Sequence, residues 1–277
     1  MTSFAGYEIT TFNHGFLQLD GGAMFGSVPR PLWERIYPAD EKHRIRLATR
    51  SLLLKSEKHT ILFDVGCGEK WSEKERAIYG FEPALTEQPK LEYDAITDLV
   101  ITHLHFDHAG GLTYFDLDGQ LQLRYPNARI WIQSSNLQLA RNPNLRERAS
   151  YLESHVAPLA DADLKEITGS AEILPNIFVH VSNGHTEGLQ YVEIRDKESS
   201  IYYPSDLIPT SRHLPLPYHM GYDMCAATLL KEKQIFLERV LKEDSTIVFE
   251  HDSDVSAVKI EINTRGHYGV KETFEFR

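Results

Sequence analysis

Short runs of β-branched and aromatic residues recur along the chain, each bounded by residues that favour turns. Such runs predict strands, here over residues 59–66, 98–108, 128–134, 176–182, 189–196, 200–206 and 245–252. Apolar residues recur near the helical period over residues 226–241, and a shorter helix is predicted over 135–141. Because strands and helices alternate unevenly, the pattern favours sheets covered by helices, an α/β or α+β fold, over a regular doubly wound unit.

Polar residues stand where several of the predicted strands end. They are Asp64, His103, His185, Asp206 and His251. A rigid sheet usually presents its functional groups in this way, at strand ends and in the loops that follow them. The sequence therefore predicts that these side chains share one site.

Two long segments, residues 21–45 and 67–95, lack strand periodicity and are rich in glycine, proline, tryptophan and charge. Long irregular connections are more often functional than not. We interpret both segments as excursions over the site or as the contact of a homodimer.

Composition narrows the class of protein and of partner. The chain has 277 residues and a hydrophobic fraction of 42%, which suits one globular domain over residues 1–277. Its formal net charge of -11 should repel nucleic acid, whose binding depends on neutralising phosphates. We therefore expect a small molecule as the partner.

Neither export nor membrane insertion is predicted. The N-terminal residues lack the basic and apolar regions of a signal peptide, and no stretch approaches the roughly 18 apolar residues of a membrane span. Cys67 and Cys225 are too few for a disulfide framework and fit a reducing compartment. These features predict a cytoplasmic protein.

The strongest chemical signal is the run Thr-His-Leu-His-Phe-Asp-His-Ala-Gly-Gly at residues 102–111. Residues two apart on a strand point the same way, so His103 and His105 can share one metal ion. Asp107 and His108 lie past the strand end and can turn toward a second ion. Imidazole and carboxylate donors together suit Zn(II), and also Fe(II) or Mn(II).

Residues 103–108 resemble the His-X-His-X-Asp-His signature of the metallo-β-lactamase superfamily. Residues 184–188 resemble the Gly-His-Thr-Pro-Gly loop of that family, with glutamate where proline is usual. Asp206 resembles its bridging aspartate, His251 its last ligand, and residues 64–66 its early Asp-Thr-Gly step. The resemblance runs from about residue 46 to 252, with every ligand position filled in chain order.

This resemblance implies a four-layer αββα sandwich that holds two divalent metal ions, most simply zinc. Its residue-by-residue assignment gives the first ion to His103, His105 and His185, the second to Asp107, His108 and His251, and the bridging position to Asp206. Asp64 would support the ligands from behind. Two adjacent cations lower the pKa of a bridging water, and Asp107 would be the catalytic residue that orients the hydroxide and handles the proton.

Departures from known branches narrow the resemblance. His105 stands where flavodiiron oxygen reductases have a carboxylate, and Asp206 stands where classical zinc β-lactamases have a cysteine. Residues 19–33 and 205–223 resemble uncharacterised bacterial metallo-hydrolases related to quorum-quenching lactonases and organophosphate hydrolases.

In those relatives the segment before the core strands lines the substrate cleft. The corresponding apolar wall here would comprise Met24, Phe25, Val28, Leu32, Trp33 and Tyr37. Packing of a loop or a dimer contact is the alternative role of Phe25 and Trp33. Further candidates for substrate binding follow the bridging aspartate, namely His213, His219, Tyr222 and Asp223, with turn or core positions as their alternative.

The leading hypothesis is a dinuclear metal-dependent hydrolase in which the bridging hydroxide attacks the carbonyl of a lactone or ester. A phosphoesterase, phosphotriesterase or thioesterase on the same site is the alternative enzyme. A ligand-sensing module that kept the metals is the non-enzymatic alternative. The complete ligand set argues against the module, because ligand sensing needs no bridging hydroxide.

Overall fold

The computed structural model describes residues 2–84 and 91–276, so residues 85–90 of the predicted excursion over 67–95 lie outside it. The strands in this part of the chain are β1 Thr2–Phe4, β2 Tyr7–Asp20, β3 Arg44–Lys55, β4 Thr60–Phe63, β5 Asp98–Val100, β6 Thr113–Phe115, β7 Leu121–Leu123, β8 Arg129–Gln133, β9 Asp163–Ile167, β10 Ala171–Leu174, β11 Ile177–Ser182, β12 Leu189–Arg195, β13 Ser200–Tyr203, β14 Thr246–Val248, β15 Ala257–Ile262 and β16 Tyr268–Phe274.

Helices connect and cover these strands. The α-helices are α1 Gly21–Phe25, α2 Arg30–Ile36, α3 Glu73–Tyr79, α4 Phe106–Ala109, α5 Ser134–Arg141, α6 Glu153–Val156 and α7 Ala226–Lys242. Short 3-10 helices span Tyr93–Ala95, Gly110–Leu112, Ala157–Asp161, Ser205–Leu207 and Ser211–His213. Within the described residues, no helix combines the length and apolar character that crossing a lipid bilayer requires.

The strands form two seven-stranded sheets and one small hairpin. The first sheet has the order β1-β2-β3-β4-β5-β8-β9, the second has the order β10-β11-β12-β13-β14-β15-β16, and β6 pairs with β7. The run β4-β5-β8-β9 is parallel, as is the pair β13-β14, whereas the remaining neighbours are antiparallel. Parallel neighbours bring their carboxyl ends to the same edge, which gathers several loops there.

Apolar side chains pack the two sheets face to face and a helical layer on each outer face. The inner core joins residues such as Phe63 and Val100 of the first sheet to Val192 and Val248 of the second. A second core lies between the first sheet and α5, and a third lies between the second sheet and α7. The predicted four-layer αββα sandwich is thereby confirmed.

The predicted strands are present with shorter bounds and the two predicted helices are each one residue longer, but the sequence pattern missed the two longest strands. A register shift between Asn13 and Phe16 interrupts the pairing of β2 with β3. Such a bulge breaks the alternation of inward and outward side chains on which a strand prediction depends. The segment 21–45 contains α1 and α2, each too short to display a helical period.

Helix α7 buries an unexpected residue on its packed face. Lys233 is almost fully buried there, and its Nζ donates to the carbonyls of Pro215 at 2.9 Å and Tyr218 at 2.6 Å. Burial lowers the pKa of Lys233 to about 7. These two hydrogen bonds connect α7 to the loop that contains Pro215 and Tyr218.

Candidate metal centre

The two sheets bring the polar strand ends together at one edge of the sandwich. From the first sheet, Asp64 follows β4, and residues 103–108 lie on the connection after β5. From the second sheet, His185, Asp206 and His251 lie on the connections after β11, β13 and β14. The donor atoms fall into two neighbouring groups, His103 with His105, His185 and Asp206, and Asp107 with His108 and His251.

Three ring nitrogens and one carboxylate oxygen converge in the first group. His105 Nδ1 lies 3.0 Å from His103 Nε2 and 3.2 Å from His185 Nε2. Asp206 Oδ2 lies 3.2 Å from His185 Nε2 and 3.9 Å from His103 Nε2. Donors about 2.0–2.1 Å from a tetrahedral ion stand roughly 3.3 Å apart, so these spacings fit the ligands of one metal ion.

In the second group, ring nitrogens and carboxylate oxygens are also spaced as ligands of one metal ion would be, and Asp206 lies close to this group as well. His108 Nε2 and His251 Nε2 are 3.2 Å apart, and the Asp107 oxygens lie 3.8 and 3.7 Å from them. Asp206 Oδ1 lies 3.3 Å from His251 Nε2, and its Oδ2 lies 3.5 Å from His108 Nε2. This two-sided position is the one that a bridging carboxylate requires.

Hydrogen bonds behind the rings fix which nitrogen faces the site. His185 Nδ1–H donates to Asp223 Oδ1 at 2.9 Å, and His251 Nδ1–H donates to the carbonyl of Ala48 at 2.8 Å. Carboxylate and carbonyl oxygens only accept hydrogen bonds, so the hydrogens of these rings must be on Nδ1. The Nε2 atoms therefore present lone pairs to the groups of donors, as in metal-binding histidines.

Asp64 orients two more rings from behind. Its Oδ2 accepts the Thr102 hydroxyl hydrogen at 2.6 Å and lies 3.1 Å from His108 Nδ1. Because Thr102 has already donated its hydroxyl hydrogen, its Oγ1 accepts from His103 Nδ1 at 3.1 Å. His103 and His108 therefore also face the site through Nε2.

The donor set fits cationic metal better than any arrangement of the protein alone. Lone pairs on His103 Nε2 and His105 Nδ1, only 3.0 Å apart, repel each other unless a cation lies between them. Asp206 Oδ1 is buried without a hydrogen-bond partner among the described residues. Leaving a buried carboxylate oxygen unpaired is costly, and a divalent cation bound by these donors would compensate it.

Attraction between opposite charges lowers the pKa of the site's aspartate Asp206 and raises that of the histidine His251. Burial alone would raise the pKa of Asp206, but His185 and His251 outweigh it and hold that pKa well below its usual range. Burial alone would lower the pKa of His251, but Asp206 raises it to about 9. Metal ions bind neutral imidazole, so metal uptake at neutral pH should release protons from this site.

Backbone geometry holds the loops in place. Asp64 and Ser205 each have a φ of 51°, which is unfavourable for residues with a side chain and often marks functional sites. Before His185, a Cβ on Gly184 would lie 2.4 Å from the backbone of Leu229 in α7. Glycine at this position therefore allows the loop to approach the helix.

A cavity of about 250 Å³ opens onto both groups of donors. Residues Leu19, Met24, Leu47, Phe106 and Met220 contribute apolar surface to it. Polar lining residues include Tyr79, Arg146, Glu147, Ser150 and Tyr222. A mostly apolar cavity with a few polar groups around a reactive centre is typical of small-molecule sites.

Tyr222 and Met24 are the residues of the predicted substrate region that line this cavity. Tyr222 is about 40% exposed, but partial desolvation, with the carboxylates of Asp20 and Asp107, raises its pKa to about 12. The Tyr222 hydroxyl therefore remains protonated at neutral pH and can donate a hydrogen bond into the cavity.

Phe25, Trp33 and His213 lie elsewhere, which corrects their expected role in lining the cleft. Phe25 is fully buried and stacks on Trp33 and on His213, with ring centroids 5.7 and 4.6 Å apart. His213 Nε2–H donates to the carbonyl of Met24 at 2.8 Å, and burial lowers its pKa to about 4. Phe25 and Trp33 therefore belong to an apolar core beside the cavity, and His213 stacks on Phe25 of that core.

The other two candidates from the segment after Asp206, which are His219 and Asp223, also lie outside the cavity lining. Asp223 is buried behind His185, where it accepts from the ring and from the backbone N–H of Met220 at 2.8 Å. His219 is about one quarter exposed, and its Nδ1 lies 3.1 Å from the carbonyl of Met220. Both residues support the loop above the site.

We predict that Phe25→Ala destabilises the fold more than it affects substrate binding. A buried phenylalanine replaced by alanine typically costs ~3–5 kcal/mol, and Phe25 is fully buried. Thermal unfolding and KM should be measured on the same metal-loaded preparation. Tyr222→Phe is the matched control, because it removes a hydroxyl from the cavity wall and should alter KM at nearly constant stability. If Phe25→Ala raises KM and leaves the midpoint of thermal unfolding unchanged, Phe25 lines the substrate cleft after all.

Two acidic residues near the site were not predicted from the sequence. Glu250 is buried, with Oε2 2.8 Å from His108 Nδ1. Burial raises its pKa to about 8. The sequence could have indicated Glu250, because it directly precedes His251 at the end of a predicted strand. Glu147 lies 3.7 Å from His105 Nε2, on an irregular segment whose pattern gives no sign of the contact.

Comparison with known proteins places this site in a family. A family model described as the metallo-beta-lactamase superfamily matches residues 44–251. The N-acyl homoserine lactonase AiiA of Bacillus thuringiensis subsp. kurstaki is similar, with 26% identity over 220 residues that cover 72% of this chain and 79% of that protein.

Solved structures agree with this match. A probable metal-dependent hydrolase from Staphylococcus aureus has a TM-score of 0.86 and 27% identity, with 99% of this chain and 100% of that chain covered. AidC, described as a dizinc quorum-quenching lactonase, has a TM-score of 0.77 at 19% identity, covers 99% of this chain and 97% of its own, and shares the fold. Because the family model spans more than half of the sequence, this chain belongs to the metallo-beta-lactamase superfamily.

Proposed function

We propose that this protein is a dinuclear metal-dependent hydrolase that opens a lactone or cleaves a related ester. The seven candidate ligands are His103, His105, Asp107, His108, His185, Asp206 and His251. The observation that carries the proposal is Asp206, whose two oxygens face two separate groups of donors. A single-metal site would leave one of these groups of buried imidazoles and carboxylates uncompensated.

The donor chemistry supports zinc as the metal in both positions. Nitrogen and oxygen donors at near-tetrahedral spacing suit Zn(II), although Fe(II) and Mn(II) accept the same ligands. When bound, the two ions supply a water of lowered pKa and polarise the oxygen of the bond under attack.

The chain's own residues then have distinct tasks. Asp107, which lines the cavity, would accept a proton from the attacking water and return it to the leaving oxygen. Tyr222 and Tyr79 also line the cavity, and the Tyr222 hydroxyl could donate a hydrogen bond to the substrate. Met24, Leu47 and Phe106 exclude water around an apolar group of the substrate.

Two further observations favour a carbonyl substrate. Relatives along most of this sequence are named N-acyl homoserine lactonases, and two similar folds were solved with acyl-homoserine products. The mostly apolar cavity of about 250 Å³ suits an acyl chain of moderate length joined to a small polar ring.

A substrate panel tests the proposal. Metal-reconstituted protein should be assayed with lactones of increasing acyl length, thioesters, aryl esters and phosphotriesters, and kcat/KM compared. We expect lactones with an apolar substituent to be preferred over phosphotriesters. Preference for a phosphotriester would replace the carbonyl assignment, and absence of turnover on every class in a protein holding two metals would favour a ligand-sensing role.

A further inference from the structure

Glu147 is a buried carboxylate beside the candidate metal centre. It is about 5% exposed and lies on the irregular segment after α5. Its Oε1 accepts the hydroxyl hydrogen of Thr186, and its Oε2 accepts from the side-chain amide of Asn144. Burial of a carboxylate is unfavourable unless such donors compensate it. One further group, the His105 ring, faces Oε1 at 3.7 Å.

The hydrogen bonds around Glu147 run in one direction. A carboxylate only accepts, so the Thr186 hydroxyl must use its hydrogen on Glu147. The Tyr151 hydroxyl, 2.8 Å from Thr186 Oγ1, must then donate to it, and Asn136 Nδ2 donates to Tyr151 at 3.1 Å. The chain of donors leaves Glu147 Oε1 as its final acceptor.

His105 is held the opposite way round from the other candidate ligands. Its Nδ1, not its Nε2, points toward His103 and His185, at 3.0 and 3.2 Å. Its Nε2 is buried, has no hydrogen-bond partner within the described residues and faces Glu147. For Nδ1 to offer a lone pair, the ring hydrogen must be on Nε2, beside the carboxylate.

We propose that Glu147 is a positioning residue that holds the hydrogen of His105 on Nε2 and so makes Nδ1 the metal-binding atom. The inference rests on the proposed metal site and adds a residue that acts on it through His105. The Tyr151 ring packs against the His105 ring, with centroids 4.7 Å apart, and limits rotation of the imidazole. Carboxylates behind metal-bound histidines set ring orientation and raise ligand basicity in this way.

Zinc affinities of three variants test the proposal. Metal-free wild type, Glu147→Leu, Glu147→Gln and Arg148→Gln should each be titrated with zinc against a chromophoric chelator, with thermal midpoints recorded in parallel. We expect Glu147→Leu to weaken the first ion about 10–100-fold and to leave the second nearly unchanged. Glu147→Gln should retain most of the affinity, because its amide oxygen can occupy the same position facing the hydrogen on Nε2. Arg148→Gln, on the same segment but exposed, should behave as wild type.

A spectroscopic measurement on the wild type tests the same point without a variant. Long-range proton–nitrogen NMR correlations of the zinc-loaded protein should show His105 with its hydrogen on Nε2 and the other four ligand rings with theirs on Nδ1. A hydrogen on His105 Nδ1 overturns the proposal, even where Glu147→Leu fails to fold.

Two outcomes separate this inference from the function on which it rests. A wild-type protein that binds two ions while a folded Glu147→Leu variant keeps both affinities overturns the role of Glu147 alone. A wild-type protein that binds no metal overturns the proposed function and the role of Glu147 with it.

Discussion

Replacing Asp206 by alanine is expected to abolish tight binding of both metal ions. Its two oxygens lie 3.2 Å from His185 Nε2 and 3.3 Å from His251 Nε2, in separate groups of donors. Turnover should fall by more than the ~10²–10⁴-fold that follows loss of a single acid–base group, because the ions that supply the nucleophile are lost as well. Elemental analysis and zinc titration of the purified variant measure the effect directly.

The control for this prediction is His251→Ala. His251 lies in one group of donors, so its loss should weaken mainly one ion and leave the other bound. An Asp206→Ala variant that keeps either ion with wild-type affinity would contradict the bridging role. One metal per chain in well-loaded wild-type protein would contradict the dinuclear site itself.

Asp107→Asn is expected to lower kcat by ~10²–10⁴-fold while the fold survives, because proton transfer by a positioned carboxylate contributes about that much. Asparagine has nearly the same shape as aspartate, but its amide cannot take a proton from water at neutral pH. Circular dichroism, metal content and single-turnover kinetics should be measured at saturating zinc, so that weaker metal binding is separated from slower chemistry.

Asp118→Asn provides a matched control for the Asp107 variant. Asp118 is exposed on the turn between β6 and β7, and the same change of charge there should leave kcat unchanged. Near-wild-type turnover in a fully loaded Asp107→Asn variant would remove Asp107 from the mechanism and direct attention to the hydroxyls of Tyr79 and Tyr222.

The sequence predicted the layers of the fold better than the length of its strands. Short apolar runs such as those of β11 and β12 are buried and regular, so pattern and structure agree there. In β2, by contrast, a bulge shifts the alternation of inward and outward side chains, although the strand pairs regularly with β3 on both sides of the bulge. The hydrophobic pattern of β2 alone cannot reveal this bulge, because the register on each side of it is set by pairing with the neighbouring strand β3.

The site residues likewise fall into two classes, those whose proximity is visible in the sequence and those that only the fold brings together. His103 and His105 are two positions apart on one short segment, so their proximity is already present in the sequence. Phe25 and Glu147 depend on contacts made by the folded chain: aromatic stacking takes Phe25 away from the cavity, and an irregular segment brings Glu147 to His105. Hydrophobicity suggested a cleft wall for Phe25, but it could not distinguish a wall from a core.

The candidate ligands come from both sheets, and this origin has a mechanical consequence. His103 and His108 follow a strand of the first sheet, whereas His185 and His251 follow strands of the second. Metal ions held between them would act as cross-links at one edge of the sandwich, and their binding would add to stability as RT ln(1 + [M]/Kd). Chelation should therefore loosen the two sheets first at this edge, so that hydrogen exchange after zinc removal would rise in the connections that follow β5 and β14 before it rises in the strands themselves.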